Sequence, residues 1–216
     1  MEEQQPLAFE RRDEDEMRTR SVAFFDTLRC RRSVRSFSAD PVPLDVVRTC
    51  VHAAAQAPSG AHKQPWTFVM VTRAETKRAI REAAEKEERS FYEQRAPQRW
   101  LDDLQPFGTG PSKPYLEIAP VLIVVMAQRH GASPDERHYY VQESVGIATG
   151  MLLAALNDAG LATLTHTPSP MGFLAEVLER PANERPYMLI PVGYPSTDCM
   201  VPKLERKGLD AVLVEV

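Results

Sequence analysis

Apolar residues recur at helical spacing over 44–57, where Leu44, Val47, Cys50, Val51 and Ala54 fall on one stripe. This predicts a helix, closed by the Ala57-Pro58-Ser59-Gly60 turn. Residues 66–72 (WTFVMVT) are aromatic and β-branched and read as a strand. A long charged helix follows from Glu75 to about Arg95, and then Pro97, Pro106, Gly108, Gly110, Pro111 and Pro114 break the periodicity into an irregular connection. Long irregular connections inside a domain are most often lids, binding loops or disorder. Residues 119–128 form a central strand, 143–159 a helix apolar nearly all round and stopped by Gly160, and 161–167 a strand. A short helix at 173–178 and a strand at 187–194 complete the main body. The tail 211–216 alternates like a strand, and nothing later in the chain can pair with it, so it adds to a sheet edge, either of this chain or of a partner. Residues 22–32 show helical spacing that ends in arginines, after an arm (1–20) carrying seven acidic and four basic residues. Helices alternating with strands give an α+β architecture, a mixed sheet flanked by helices.

Composition narrows the class. The 216 residues are 43% apolar and 26% charged, enough to build a core without disulfides. A net charge of −4 argues against a nucleic-acid binder. The longest apolar run, 118–127, contains Pro120 and falls short of the about 20 residues a membrane span needs. Met1-Glu2-Glu3 starts no signal peptide, and the unpaired Cys30, Cys50 and Cys199 fit a reducing, cytoplasmic location. Dinucleotide, Walker A, zincin and nucleophile-elbow motifs are absent, and His52, His62, His130, His138 and His166 show no metal-ligand spacing with cysteine.

Five segments carry candidate chemistry. Arg29, Arg31, Arg32 and Arg35 lie within seven residues around Ser33 and can converge on a phosphate, although a basic helix end often does no more than face solvent. Pro58-Ser59-Gly60-Ala61-His62 is a turn whose backbone N–H groups can meet a ligand, or an ordinary loop. Glu88 and Tyr92 are four apart on one helix face, with Lys113 in the following connection. Together they could clamp a zwitterion, Glu88 on the ammonium and Lys113 on the carboxylate; a solvated helix face is the plainer alternative. Thr165-His166-Thr167 ends a strand with hydroxyls suited to a heterocycle, and Lys203, Arg206 and Lys207 form a second basic cluster.

The order of these segments is more specific than any one of them. Arg-Arg-Ser-Val-Arg, Pro-Ser-Gly-Ala-His with Pro-Trp-Thr-Phe, and Pro-Val-Gly-Tyr-Pro before a Lys/Arg pair resemble the nitroreductase superfamily of FMN-dependent dimers, over residues 28–216. The Glu88/Tyr92/Lys113 set with His138-Tyr139-Tyr140 and Glu143-Ser144-Val145 resembles its iodotyrosine deiodinase branch. The resemblance implies a domain-swapped homodimer, a single domain over 21–216 with a substrate lid at about 85–115, and FMN at the subunit interface. It assigns Arg31, Arg32, Ser33, Arg35, Ser59, Gly60, Thr165, His166, Thr167 and Arg206 to FMN, with Thr165 or Thr167 as the donor at the flavin's redox edge. It assigns Ala61, Glu88, Tyr92 and Lys113 to a halotyrosine. Electrons would come from NAD(P)H or a reductase or ferredoxin-type protein, with no metal, nucleic acid or membrane involved. His166 stands where the family has a hydroxyl residue, Gly108 and Gly110 loosen the lid, and the membrane anchor of the animal members is missing, which implies a soluble bacterial member.

Three functions share this reading: reductive dehalogenation of halotyrosines, broad nitro- or quinone reduction, and halotyrosine sensing without turnover. Only the first and third need the zwitterion clamp.

Overall fold

The computed structural model describes residues 4–216, in two units that meet between Arg31 and Arg32. The first is built around helix α1 (Glu14–Cys30). Asp13 caps it by accepting the Glu16 N–H at 2.8 Å, and Glu14, Asp15 and Glu16 occupy the positive end of the helix dipole. Ion pairs four residues apart, Arg18–Glu14 and Arg20–Glu16, line its surface. The charged arm and the arginine-ended helical stretch are therefore one element. None of its residues is buried within the chain, and Val22, Phe24 and Phe25 are exposed.

The second unit holds a four-stranded sheet of order β1-β2-β4-β3, from β1 (Trp66–Val71), β2 (Val121–Gln128), β3 (Ala162–Thr163) and β4 (Glu184–Gly193). Its three ladders are antiparallel, and the parallel component is the single bridge between Ser33 and Thr163. Alternation along β2 explains its unbroken apolar run, since both faces are covered. Val121, Ile123, Val125 and Ala127 enter one core with α2 (Leu44–Ala54) and α6 (Val141–Asp158). Leu122, Val124 and Met126 enter a second core with α3 (Ala74–Ser90), α5 (Tyr115–Ile118) and α7 (Gly172–Val177).

Three expectations need correction. The connection after α3 is ordered: a π-helical turn (Phe91–Arg95) leads into α4 (Gln98–Leu104), because Pro97 breaks one helix and starts the next. The tail 211–216 forms no strand. A 3₁₀ turn at Leu209–Ala211 precedes exposed Val212, Val214 and Val216, an alternating pattern without a partner edge among the described residues. Helix α6 buries one face only, through Val145, Ala148, Leu152 and Leu156, while Ile147 stays exposed. The predicted strand at 161–167 does follow β4, but loosely: past β3 the Leu164 N–H donates to the Pro191 carbonyl, and His166 and Leu189 exchange backbone hydrogen bonds at 2.9 and 3.0 Å. No helix among the described residues is long and apolar enough to cross a membrane.

Candidate active site

Glu88, Tyr92 and Lys113 meet at a cavity of about 430 Å³ on the α3/α5/α7 side of the sheet. Glu88 lies in the last turn of α3, Tyr92 in the π-helical turn, and Lys113 just before α5. The Lys113 Nζ lies 3.1 Å from Glu88 Oε2 and donates to Thr109 Oγ1 at 3.2 Å. It also lies 5.6 Å from the centre of the Tyr92 ring. Only 3% of the Lys113 side chain and 12% of the Glu88 side chain reach solvent, so this ion pair is buried. Burial pushes the Lys113 ammonium below its ordinary pKa, and Glu88 opposes that shift.

The lysine is held from behind. Its backbone N–H donates to Glu85 Oε1 at 2.7 Å, Arg81 pairs with Glu85 at 3.0 Å, and Arg81 also grips Glu117 at 2.7 Å. Helix α3 thus supplies both the acid that faces the cavity and the acid that positions its partner.

The extended segment Thr165-His166-Thr167 borders the same cavity, with Arg35, Tyr115, Trp100 and Leu104. Extended backbone sends successive side chains to opposite sides. Thr165 and Thr167 are exposed and share one side, while His166, 8% exposed, points inward. There its Nδ1 lies 3.4 Å from the Tyr115 hydroxyl, and its Nε2 lies 3.8 Å from Glu88 Oε1. Burial first, then the charges of Lys113 and Arg35, push the His166 pKa down to about 3, so the imidazole is neutral. The Ser33–Thr163 bridge sets the 32–35 segment beside this strand. Arg32 donates to the Pro202 carbonyl, tying it to the C-terminal basic segment that contains Arg206.

Ser59, Gly60 and Ala61 do not border the cavity of this chain. Their loop is packed on the start of α6. The Gly60 N–H donates to Ser144 Oγ at 3.3 Å, and a Cβ at Gly60 would come within 2.9 Å of the Tyr139 carbonyl oxygen. Ala61, His62 and Gln64 hold left-handed backbone, and Ser59 Oγ accepts the Gln64 N–H at 2.9 Å. Arg31 caps α1 in the first unit, its N–H donating to the Leu28 carbonyl at 3.2 Å.

Sequence reasoning missed Tyr115, Thr109, Trp100 and the buried Glu85. Only Glu85 left a trace, four residues from Arg81 on the helix that also carries Glu88.

A nitroreductase family profile matches residues 28–194. The chain belongs to the nitroreductase family. Within that family it sits with the iodotyrosine deiodinases. It is 53% identical over 212 residues to iodotyrosine deiodinase of Haliscomenobacter hydrossis, covering 97% of this chain and 96% of that relative. It is 45% identical over 215 residues to iodotyrosine deiodinase 1 of Homo sapiens, covering 98% of this chain and 74% of that one. Its fold superposes with a TM-score of 0.77 and 31% identity on a crystal structure of oxidized iodotyrosine deiodinase bound to FMN and 3-iodo-L-tyrosine, over 89% of this chain and 97% of the other.

Proposed function

We propose that this nitroreductase-family chain is an FMN-dependent reductive dehalogenase of halogenated tyrosines, releasing tyrosine and halide. The observation that carries the reading is the meeting of Glu88, Tyr92 and Lys113 at one cavity, from three separate segments of the chain. A carboxylate and an ammonium 3.1 Å apart match the two charges of an amino-acid head group, which would enter between them. A broad nitroreductase needs no such pair.

The residues present fit FMN. Thr165 and Thr167 show hydroxyls on the open side of an extended segment, where a ring edge can take a hydrogen bond. Arg32, Ser33 and Arg35 run beside that segment, and the link from Arg32 to Pro202 brings in the chain stretch of Arg206, giving cationic donors for a phosphate. When bound, FMN supplies the two electrons which, with one proton from solvent, turn a carbon–halogen bond into a carbon–hydrogen bond as halide leaves. Electrons reach it from an external donor, NAD(P)H or a ferredoxin-type protein.

The chain's own residues do the rest. Glu88 takes the substrate ammonium and Lys113 its carboxylate, while Thr109 and Tyr92 keep the lysine oriented. The π-helical turn and α4, with Phe91 and Trp100 rings 5.0 Å apart, close over the head group and exclude water. The Ala61 N–H holds the phenolate oxygen. Because the 59–61 loop lies away from the cavity, a second copy of the chain supplies it, and the working unit is a homodimer. Exposed Ile147 on α6, the unburied face of α1 and the unpaired tail are the surfaces such a partner would cover.

The test is a visible spectrum of the purified protein, followed by titration with mono- and diiodotyrosine. A yellow protein whose flavin fluorescence is quenched by iodotyrosine, and whose anaerobically reduced flavin is reoxidised by it with iodide release, is the expected result. A colourless protein that takes up no FMN overturns the assignment; a yellow one that ignores halotyrosines keeps only the fold. Quenching without reoxidation identifies a sensor.

A further inference from the structure

The zwitterion clamp as derived so far uses one oxygen of Glu88. Oε2 faces Lys113 at 3.1 Å, while Oε1 faces His166 Nε2 at 3.8 Å. That Nε2 is a buried side-chain polar atom with no hydrogen-bond partner among the described residues. A buried polar atom left unpaired costs stability, so its position calls for a reason. On the other side of the ring, Nδ1 lies 3.4 Å from the Tyr115 hydroxyl, edge-on to the Tyr115 ring.

Donor accounting fixes the direction of this chain. The Tyr115 hydroxyl has no other acceptor among the described residues, so it donates to Nδ1. A neutral imidazole whose Nδ1 accepts carries its hydrogen on Nε2. That N–H points toward a carboxylate oxygen and has less than 1 Å to travel to reach hydrogen-bond distance. Burial first, and then the cations Lys113 and Arg35 beside the ring, keep it uncharged.

Resting on the function proposed above, we infer that His166 is a positioning residue for the ammonium end of the substrate site, relaying a hydrogen bond from Tyr115 to Glu88 Oε1. Binding a head group draws Lys113 toward the substrate carboxylate and frees Oε2 for the ammonium. The His166 N–H then holds the other oxygen, fixing the carboxylate plane. A threonine at this position is too short to span from Tyr115 to Glu88, so the imidazole gives this chain a grip on the amino group that a hydroxyl residue does not.

Two measurements test it. The first needs no ligand: long-range proton–nitrogen correlation of His166 in the flavin-loaded protein reports which ring nitrogen carries hydrogen. Hydrogen on Nε2 is expected, and hydrogen on Nδ1 overturns the relay. The second compares dissociation constants of 3-iodotyrosine and its des-amino analogue, read by flavin fluorescence. His166→Leu is expected to weaken iodotyrosine by about 10- to 100-fold. The des-amino analogue should change by less than about threefold. His166→Gln, which keeps an N–H near the Nε2 position, should recover most of the loss. Equal losses for both ligands, no loss for either, or a Gln variant no better than Leu overturns the inference. Should the wild-type protein bind flavin but no iodotyrosine, the functional reading fails, and the nitrogen correlation alone still decides the contact between His166 and Glu88.

Discussion

The charged end of the site and the loop at 59–64 are built on opposite plans. Glu88, Tyr92, Thr109 and Lys113 lie within a stretch of 26 residues of the described chain and close on one another without help. The 59–64 loop is as firmly shaped, with left-handed backbone at Ala61, His62 and Gln64, yet it does not border the cavity that Glu88 and Lys113 line. Strain held in place by surrounding contacts is a mark of function. The difference teaches that, on the proposed function, head-group recognition is local to one chain, while the group proposed to hold the phenolate would be displayed for a neighbour.

The largest expected effect breaks the local half. Glu88→Gln leaves Lys113 buried without its counter-charge, a loss of about 3–5 kcal/mol for a buried pair. Iodotyrosine affinity should fall by about 100-fold or more, measured by flavin quenching. A change within about threefold would sink the clamp.

The next prediction sharpens the shared half. Gly60→Ala forces a Cβ to within 2.9 Å of the Tyr139 carbonyl oxygen and should disable the loop. Co-expressed with Glu88→Gln chains, these two inactive variants should regain about a quarter of the wild-type sites, because half the dimers are mixed and each mixed dimer holds one intact site. If clamp and loop of one site came from the same chain, mixing would recover nothing.

A smaller effect concerns acid. The folded His166 titrates near 3 and the unfolded one near 6.5. Between these values the unfolded chain binds the extra proton, so the contribution of His166 is full above about pH 6.5 and is lost as pH falls toward 3. Replacing it by Gln should flatten the fall of Tm across that window, and an unchanged acid limb would show that His166 is not buried neutral. The smallest effect belongs to the loop's internal hydrogen bond: Ser59→Ala removes the acceptor of the Gln64 N–H and should lower stability by about 1 kcal/mol in denaturant unfolding.

Much of this was legible from residue order. Spacing of four placed Glu88 and Tyr92 on one face, and both do reach one cavity even though the helix loosens into a π-helical turn between them. The run 119–128 announced a buried central strand, and β2 is indeed covered on both faces. What local pattern could not show was long-range company. Tyr115 meets His166 across 51 positions, and Glu85 is fastened to Lys113 across 28. Neither separation leaves a periodic trace. The tail stayed open for the same reason: alternation states which residues suit a strand, not which edge accepts it, and within this chain none does among the described residues. Helix α4 hid among prolines that end one turn and begin another.

The pairing of Lys113 with Glu88 has a consequence for life among abundant metabolites. At rest Lys113 and Glu88 neutralise each other, so a stray anion or cation finds neither of these two charges bare. A simple carboxylic acid that captured the lysine would strand the glutamate in a dry setting, and an amine would do the reverse. On the proposed function, a visitor bringing both signs a few bonds apart parts the two without leaving one behind, so the resting lock itself screens out half-matched competitors.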